Sequence, residues 1–177
     1  VTRANVYLHD DMVLSADVEK MLSKPANQSA LGSVGSELKR RVLLKNEDFG
    51  ISLKHYLAYT LKSLLGHPYP SKPQSGELNA FRIDVEKTDI PIPSDNVDVS
   101  ALYELSSCEP KLAKLSTFRF LSHINAFETV NTNRLHVAIA AAKLGKKVNL
   151  YGNNYFKIRA IYEYSLKGKY ANVTWKE

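Results

Sequence analysis

The chain has 177 residues, 44% of them hydrophobic, with 24 Lys and Arg against 18 Asp and Glu, a formal net charge of +6. That apolar content excludes a disordered tail, and 8 Gly with 7 Pro exclude a collagen-like or low-complexity chain; a domain of this size buries roughly 70% of its unfolded surface. The single cysteine, Cys108, forms neither an internal disulfide nor a Cys-rich zinc site, which fits the reducing cytoplasm.

In chain order, the sequence opens on a strand-like segment at 2–8 with neither a start Met nor a signal-peptide pattern, and so reads as a piece of something longer. His9, Asp10 and Asp11 follow, read as helix-capping residues with a catalytic role at the strand end as the alternative, then a helix around 12–23, a loop at 24–36 and a short strand at 40–45. Leu53, Tyr56, Leu57, Leu61, Leu64 and Leu65 stripe an amphipathic helix over 52–65, stopped by Gly66 and the proline-rich 67–73. His55, His67 and Tyr56 read as structural. From Leu78 to Glu86 the sequence largely alternates apolar and polar, the pattern of a strand on which Arg82 and Asp84 share the solvent side. Residues 89–100, with Pro91 and Pro93, read as a surface excursion. A helix is predicted from Pro110 to Ile124, near whose end His123 compensates the dipole.

The remainder is regular: strand Glu128–Asn131, helix Arg134–Leu144 closed by Gly145, strand Lys147–Tyr151, helix Asn154–Leu166 before Gly168. Helices and strands alternating across short loops make an α/β, Rossmann-like three-layer fold with a mainly parallel sheet. Ligands of such sheets bind beyond the carboxyl ends of the strands. The basic residues form no run longer than three and accompany no zinc finger or RNA-binding motif, so no nucleic-acid partner is expected. The longest apolar run, Val137 to Ala142, has six residues against the ~20 of a spanning helix.

Two helix starts are chemically odd. Thr132 and Asn133 are placed to cap one, yet Arg134 and His136 fill its first turn; Asn153 and Asn154 are placed to cap the other, with Lys157 and Arg159 close behind. Cations there oppose the helix dipole, which an anionic ligand would offset. The plainer alternative pairs Arg134 with a carboxylate such as Glu128. The helix after Arg134 is apolar nearly all round, which buries it and sets Arg134 and His136 in a cleft.

The segment from Thr132 to Val148, with its Thr132-Asn133-Arg134-Leu135-His136 opening, small-residue helix and Gly145-Lys146-Lys147-Val148, followed by Asn153 to Lys157, resembles the C-terminal region of the polysaccharide pyruvyl transferase family. The resemblance is strongest over 128–166, looser at Phe81–Glu86 and at 9–12, and absent between 24 and 77. It implies that 1–177 is a single α/β domain, the C-terminal half of a two-domain protein similar to GT-B glycosyltransferases, with 24–77 a less regular, partly helical region. It further implies a cytoplasmic bacterial enzyme of exopolysaccharide synthesis. Such an enzyme transfers a pyruvyl group from phosphoenolpyruvate, its donor substrate, to hydroxyls of a free or lipid-linked glycan acceptor, without cofactor or metal. On that reading His136 and Arg134 are catalytic, for acid/base chemistry and donor-anion binding, and Asn133, Asn153, Asn154, Lys157 and Arg82 bind substrate. A homo-oligomer is compatible with it. Two alternatives stay open: a GT-B glycosyltransferase gripping a nucleotide sugar at the same helix starts, and a non-catalytic anion- or glycan-binding domain.

Overall fold

The computed structural model describes residues 12–23, 76–86, 90–104, 110–154 and 156–177. The expectations at 2–11, 24–36, 40–45 and 52–73, with His55, His67 and Cys108, lie outside these residues. Among the described residues four parallel strands, β1 (Glu77–Ala80), β2 (Thr129–Thr132), β3 (Lys147–Tyr151) and β4 (Val173–Lys176), lie side by side in chain order. Their register aligns Leu78, Val130, Val148 and Val173 in one row. The chain crosses from β1 to β2 through α2 (Val99–Tyr103) and α3 (Pro110–Asn125), and from β2 to β3 through α4 (Leu135–Lys143). It reaches β4 through α5 (Lys157–Ile161) and a π-helical turn, Tyr162–Leu166. A 3-10 turn, Met12–Ser15, and α1 (Val18–Ser23) precede all of these. This is a Rossmann-like α/β fold.

Right-handed crossovers that always advance in the same direction place their helices on one face of a sheet. The core agrees. Leu78, Val130, Val148, Leu150 and Val173 point to one side, where they join Ile124 of α3, Val137, Ile139 and Ala141 of α4, Ile158 of α5 and Leu166 in one buried cluster. Because α4 crosses this cluster centrally, seven of its nine residues are buried, and its alanines let it approach β2 and β3 closely. Its end is set by Gly145, whose φ of 71° is the left-handed conformation that closes a helix, with the Lys146 N–H donating to Ala141 O at 3.0 Å.

The opposite side of the sheet is polar. Asn149 Nδ2 donates to Asn131 Oδ1 at 2.7 Å, Asn131 Nδ2 to Asn79 Oδ1 at 3.0 Å, and Asn79 Nδ2 to Asp95 Oδ1 at 2.9 Å, a ladder of amides across three strands. Asn131 Nδ2 also reaches Glu77 Oε2 at 2.8 Å.

Several predicted boundaries move. The strand expected over 78–86 stops at Ala80, because Asn96 takes the place of a neighbouring strand: its Oδ1 accepts the Phe81 N–H at 2.7 Å and its Nδ2 donates to Phe81 O at 3.0 Å. The surface excursion expected over 89–100 holds, in its described part from 90, the start of α2, capped by Asp98, whose Oδ1 accepts the Ala101 N–H at 3.3 Å. The last predicted helix begins at Lys157 rather than Asn154.

His123 is also placed differently from expectation. It is buried, its Nδ1 lies 3.0 Å from the Tyr103 hydroxyl, and its ring stacks on Phe127. Burial penalises the imidazolium and holds its pKa below the ordinary histidine value, so a neutral ring sits at the end of α3 and compensates no dipole. The unfolded chain therefore binds this proton more readily than the folded one. Stability is complete above the ordinary histidine pKa of about 6.5 and declines as the pH falls below it. Urea unfolding followed from about pH 7 to pH 5 is expected to show this decline, with a shallower slope in His123→Gln. An equal slope in the variant would assign the effect to another group.

Candidate functional site

The ends of β1 and β2 are bound together by two side chains. Thr132 Oγ1 donates to Ala80 O at 2.7 Å and accepts the Arg134 N–H at 2.9 Å. Asn133, wholly buried, accepts the Arg82 N–H on Oδ1 at 2.8 Å. The two arginines thus leave neighbouring strands at fixed positions, each two residues past a strand end, and Asn153 stands two residues past the end of β3. Arg134 is the N-cap of α4, in extended conformation and with no side-chain cap, so Thr132 serves the arginine's own N–H rather than the first turn of the helix.

Both arginines already hold carboxylates. Arg82 grips Asp84 bidentately, Nε to Oδ1 at 2.8 Å and Nη2 to Oδ2 at 2.9 Å, and its Nη1 reaches Glu86. The Arg82 hydrogen bond draws the Asp84 carboxyl below the usual carboxylate range, aided by the Glu86 N–H and by the charges of Arg82 and Arg134; the same pairing raises the Arg82 pKa. Arg134 Nη2 pairs with the buried Asp98 carboxylate and more loosely, at 3.5 Å, with Asp84 Oδ2. The carboxylate partner is thus Asp98 and not Glu128. Two buried nitrogens, Arg134 Nε and Asn133 Nδ2, have no hydrogen-bond partner among the described residues.

Beyond the strand ends lies a cavity of ≈ 430 Å³. Arg82, Arg134, His136, Asn153 and Lys157 line it, with Glu86, Ser100, Leu135 and Ile158. Five of the seven residues singled out from the sequence are therefore brought together. The other two are not: Asn133 lies behind the wall and supports Arg82, and Asn154 donates from Nδ2 to Val85 O at 3.1 Å, tying the loop after β3 to the loop after β1. Neither Asn153 nor Asn154 caps α5, whose N-cap is Phe156. Lys157 makes no ion pair among the described residues. The cavity thus presents three cations and an imidazole to one volume, with arginine pairs that an incoming anion can exchange for its own oxygens.

No family model matches the chain, and no curated protein matches it. The crystal structure of an uncharacterized protein from Klebsiella pneumoniae is similar to it, with 30% identity over 63% of this chain and a TM-score of 0.47. The chain covers 41% of that protein's length.

Asp98, Glu86 and Ser100 are the members of the site that sequence reasoning missed. Asp98 carried a usable signal, an acidic residue directly before a Val-Ser-Ala-Leu-Tyr helix start. Among the described residues no three His, Cys, Asp or Glu side chains form a metal-binding group, and no helix is long and apolar enough to cross a membrane.

The Arg134 and Asp98 side chains retain 18% and 7% of their exposure, so their pairing is shielded from water. Asp98→Asn keeps an oxygen to cap α2 but removes the countercharge. It is expected to lower stability by about 2 kcal/mol or more in urea unfolding, because a poorly solvated guanidinium keeps only its looser contact with Asp84. A change below ~0.5 kcal/mol would show the pair to be solvent-screened.

Proposed function

We propose that this chain belongs to a bacterial pyruvyl transferase of cell-surface polysaccharide synthesis, which moves a pyruvyl group from phosphoenolpyruvate to a glycan in the cytoplasm. The reading rests on one observation: the cavity beyond the strand ends, where Arg82, Arg134, His136 and Lys157 meet. Phosphoenolpyruvate carries a carboxylate and a phosphate on the same carbon, C2, and a site for it needs two cationic positions with a proton-transfer group in reach of the methylene.

The residues divide naturally. Lys157, without a carboxylate partner among the described residues, holds the phosphate as a point charge. Arg134 takes the ligand carboxylate in exchange for Asp84, its looser partner, while Asp98 keeps the guanidinium oriented. The uncapped start of α4, at Arg134, Leu135 and His136, adds the positive end of a helix dipole to the same volume. His136 serves proton transfer. In the reaction, the oxygen of an acceptor hydroxyl adds to C2 of the enol phosphate while its proton, relayed by His136, goes to the methylene, which becomes methyl. A second hydroxyl then displaces phosphate, closing the cyclic ketal, and its proton leaves with the products.

A second reading, a non-catalytic anion-binding domain, is favoured by the arginine pairs: Asp84, Glu86 and Asp98 balance Arg82 and Arg134 before any ligand arrives. The two separate by experiment. Phosphate release from phosphoenolpyruvate should be followed with glycan acceptors, using the longest natural chain that contains these residues. His136→Ala is expected to lower turnover by about 100-fold or more. Lys157→Ala should mainly raise KM. Equal turnover in the His136 variant removes it from the chemistry. A thermal shift with phosphoenolpyruvate but no phosphate release with any acceptor supports the binding domain, and a shift with a nucleotide sugar alone supports the glycosyltransferase alternative.

A further inference from the structure

Next to the cationic cavity is a second one, of ≈ 410 Å³, within the size range of ligand pockets. Val13, Val18, Met21, Phe120, Leu121 and Ala140 give it apolar walls, drawn from the 3-10 turn and from α1, α3 and α4. Its polar neighbours are largely committed elsewhere. The Tyr103 hydroxyl is bonded to His123 and Ser116 Oγ donates to Tyr103 O. Among the described residues none of its lining is an Asp, Glu, Lys or Arg, so an anion or a sugar placed there would lose its hydration without recovering partners. An alkyl group loses nothing. Met21, a large apolar side chain left 42% exposed, stands on this wall and can adapt to such a group.

The two cavities share residues: Ser100 and His136 line both. We infer that the ligand of this site is amphiphilic, with its anionic group among Arg82, Arg134 and Lys157 and an aliphatic chain running past Ser100 and His136 into the apolar cavity. This rests on the second reading above, an anion-binding domain, and not on phosphoenolpyruvate as the ligand; it adds a chemical class to that reading: the anion carries a hydrocarbon. The cationic side is selective for the head, whereas the apolar side gains affinity with each methylene it removes from water.

Calorimetric titration of the full chain with inorganic phosphate and with ethyl, butyl, hexyl and octyl phosphate tests this. Affinity is expected to rise about fourfold per added methylene until the cavity is filled. Thr117→Phe, an exposed position on the cavity wall, is expected to flatten the series while leaving inorganic phosphate binding unchanged; Met21→Asp, also exposed, should do the same. Alkylammonium ions of equal length should bind far more weakly. If phosphate binds but affinity is the same for every chain length, the aliphatic extension is wrong and the anion site stands. If no member of the series binds, both fail. A length dependence unaltered in both variants, or matched by the alkylammonium ions, would overturn the placement of the chain in this cavity.

Discussion

Everything at the upper edge of this sheet depends on how Thr132 and Asn133 hold two strand ends together. A parallel pair supplies main-chain hydrogen bonds only along its paired length, and β1 and β2 part company after Ala80 and Thr132. At that point side chains take over: one hydroxyl and one amide oxygen satisfy Ala80 O, Arg82 N and Arg134 N. Without them, three backbone groups at the base of the site would compete for water, and the arginines would sit on unanchored loops. Asn133 therefore matters to the site from behind it. A residue type that the sequence offers as a ligand contact is instead the reason a ligand contact has a fixed position.

The same economy governs the charges. Two arginines two residues past adjacent strands would repel each other across a shielded volume. Asp84 lies between them and Asp98 anchors one from below, so the edge is held as an alternating array of charges. Such an array is stable without a ligand and can admit one by exchange of oxygens, which spares the site from exposing bare guanidinium groups to the interior. Glu86 and Asp84 stay substantially exposed, at 48% and 43%, whereas Asp98 is buried, so the exchangeable partners are the outer ones.

Legibility in the sequence followed the range of the forces involved. From Thr129 to Leu166 the elements were close to plain, because apolar period, small-residue helix and Gly145 are local signals. Alternation through Phe81 to Glu86 suggested a longer β1, but the Asn96 amide, fifteen residues away, ends it. The five-residue α2 lay hidden after two prolines, and β4, four residues long, has too few positions to establish a period. At the site, residue types and edge were readable from the pattern of strand and helix starts. Pairing was not, since Arg134 meets Asp98 across 36 residues and nothing local marks the partner. His123 fails for a similar reason: its chain position suggests a cation, and only tertiary burial against Tyr103 and Phe127 makes it neutral.

The amide ladder on the polar side of the sheet has a direction. Asn149 gives to Asn131, Asn131 to Asn79 and Asn79 to Asp95, so three side-chain dipoles run the same way across about 10 Å and end on a carboxylate. Alternate side chains along a strand face opposite ways, so slipping β2 by one residue would set Val130 or Thr132 where Asn131 now both receives and gives. The ladder acts as a parity check on alignment. It reads strand order and phase on the side away from the apolar core, and an error of one residue on either side is registered on both.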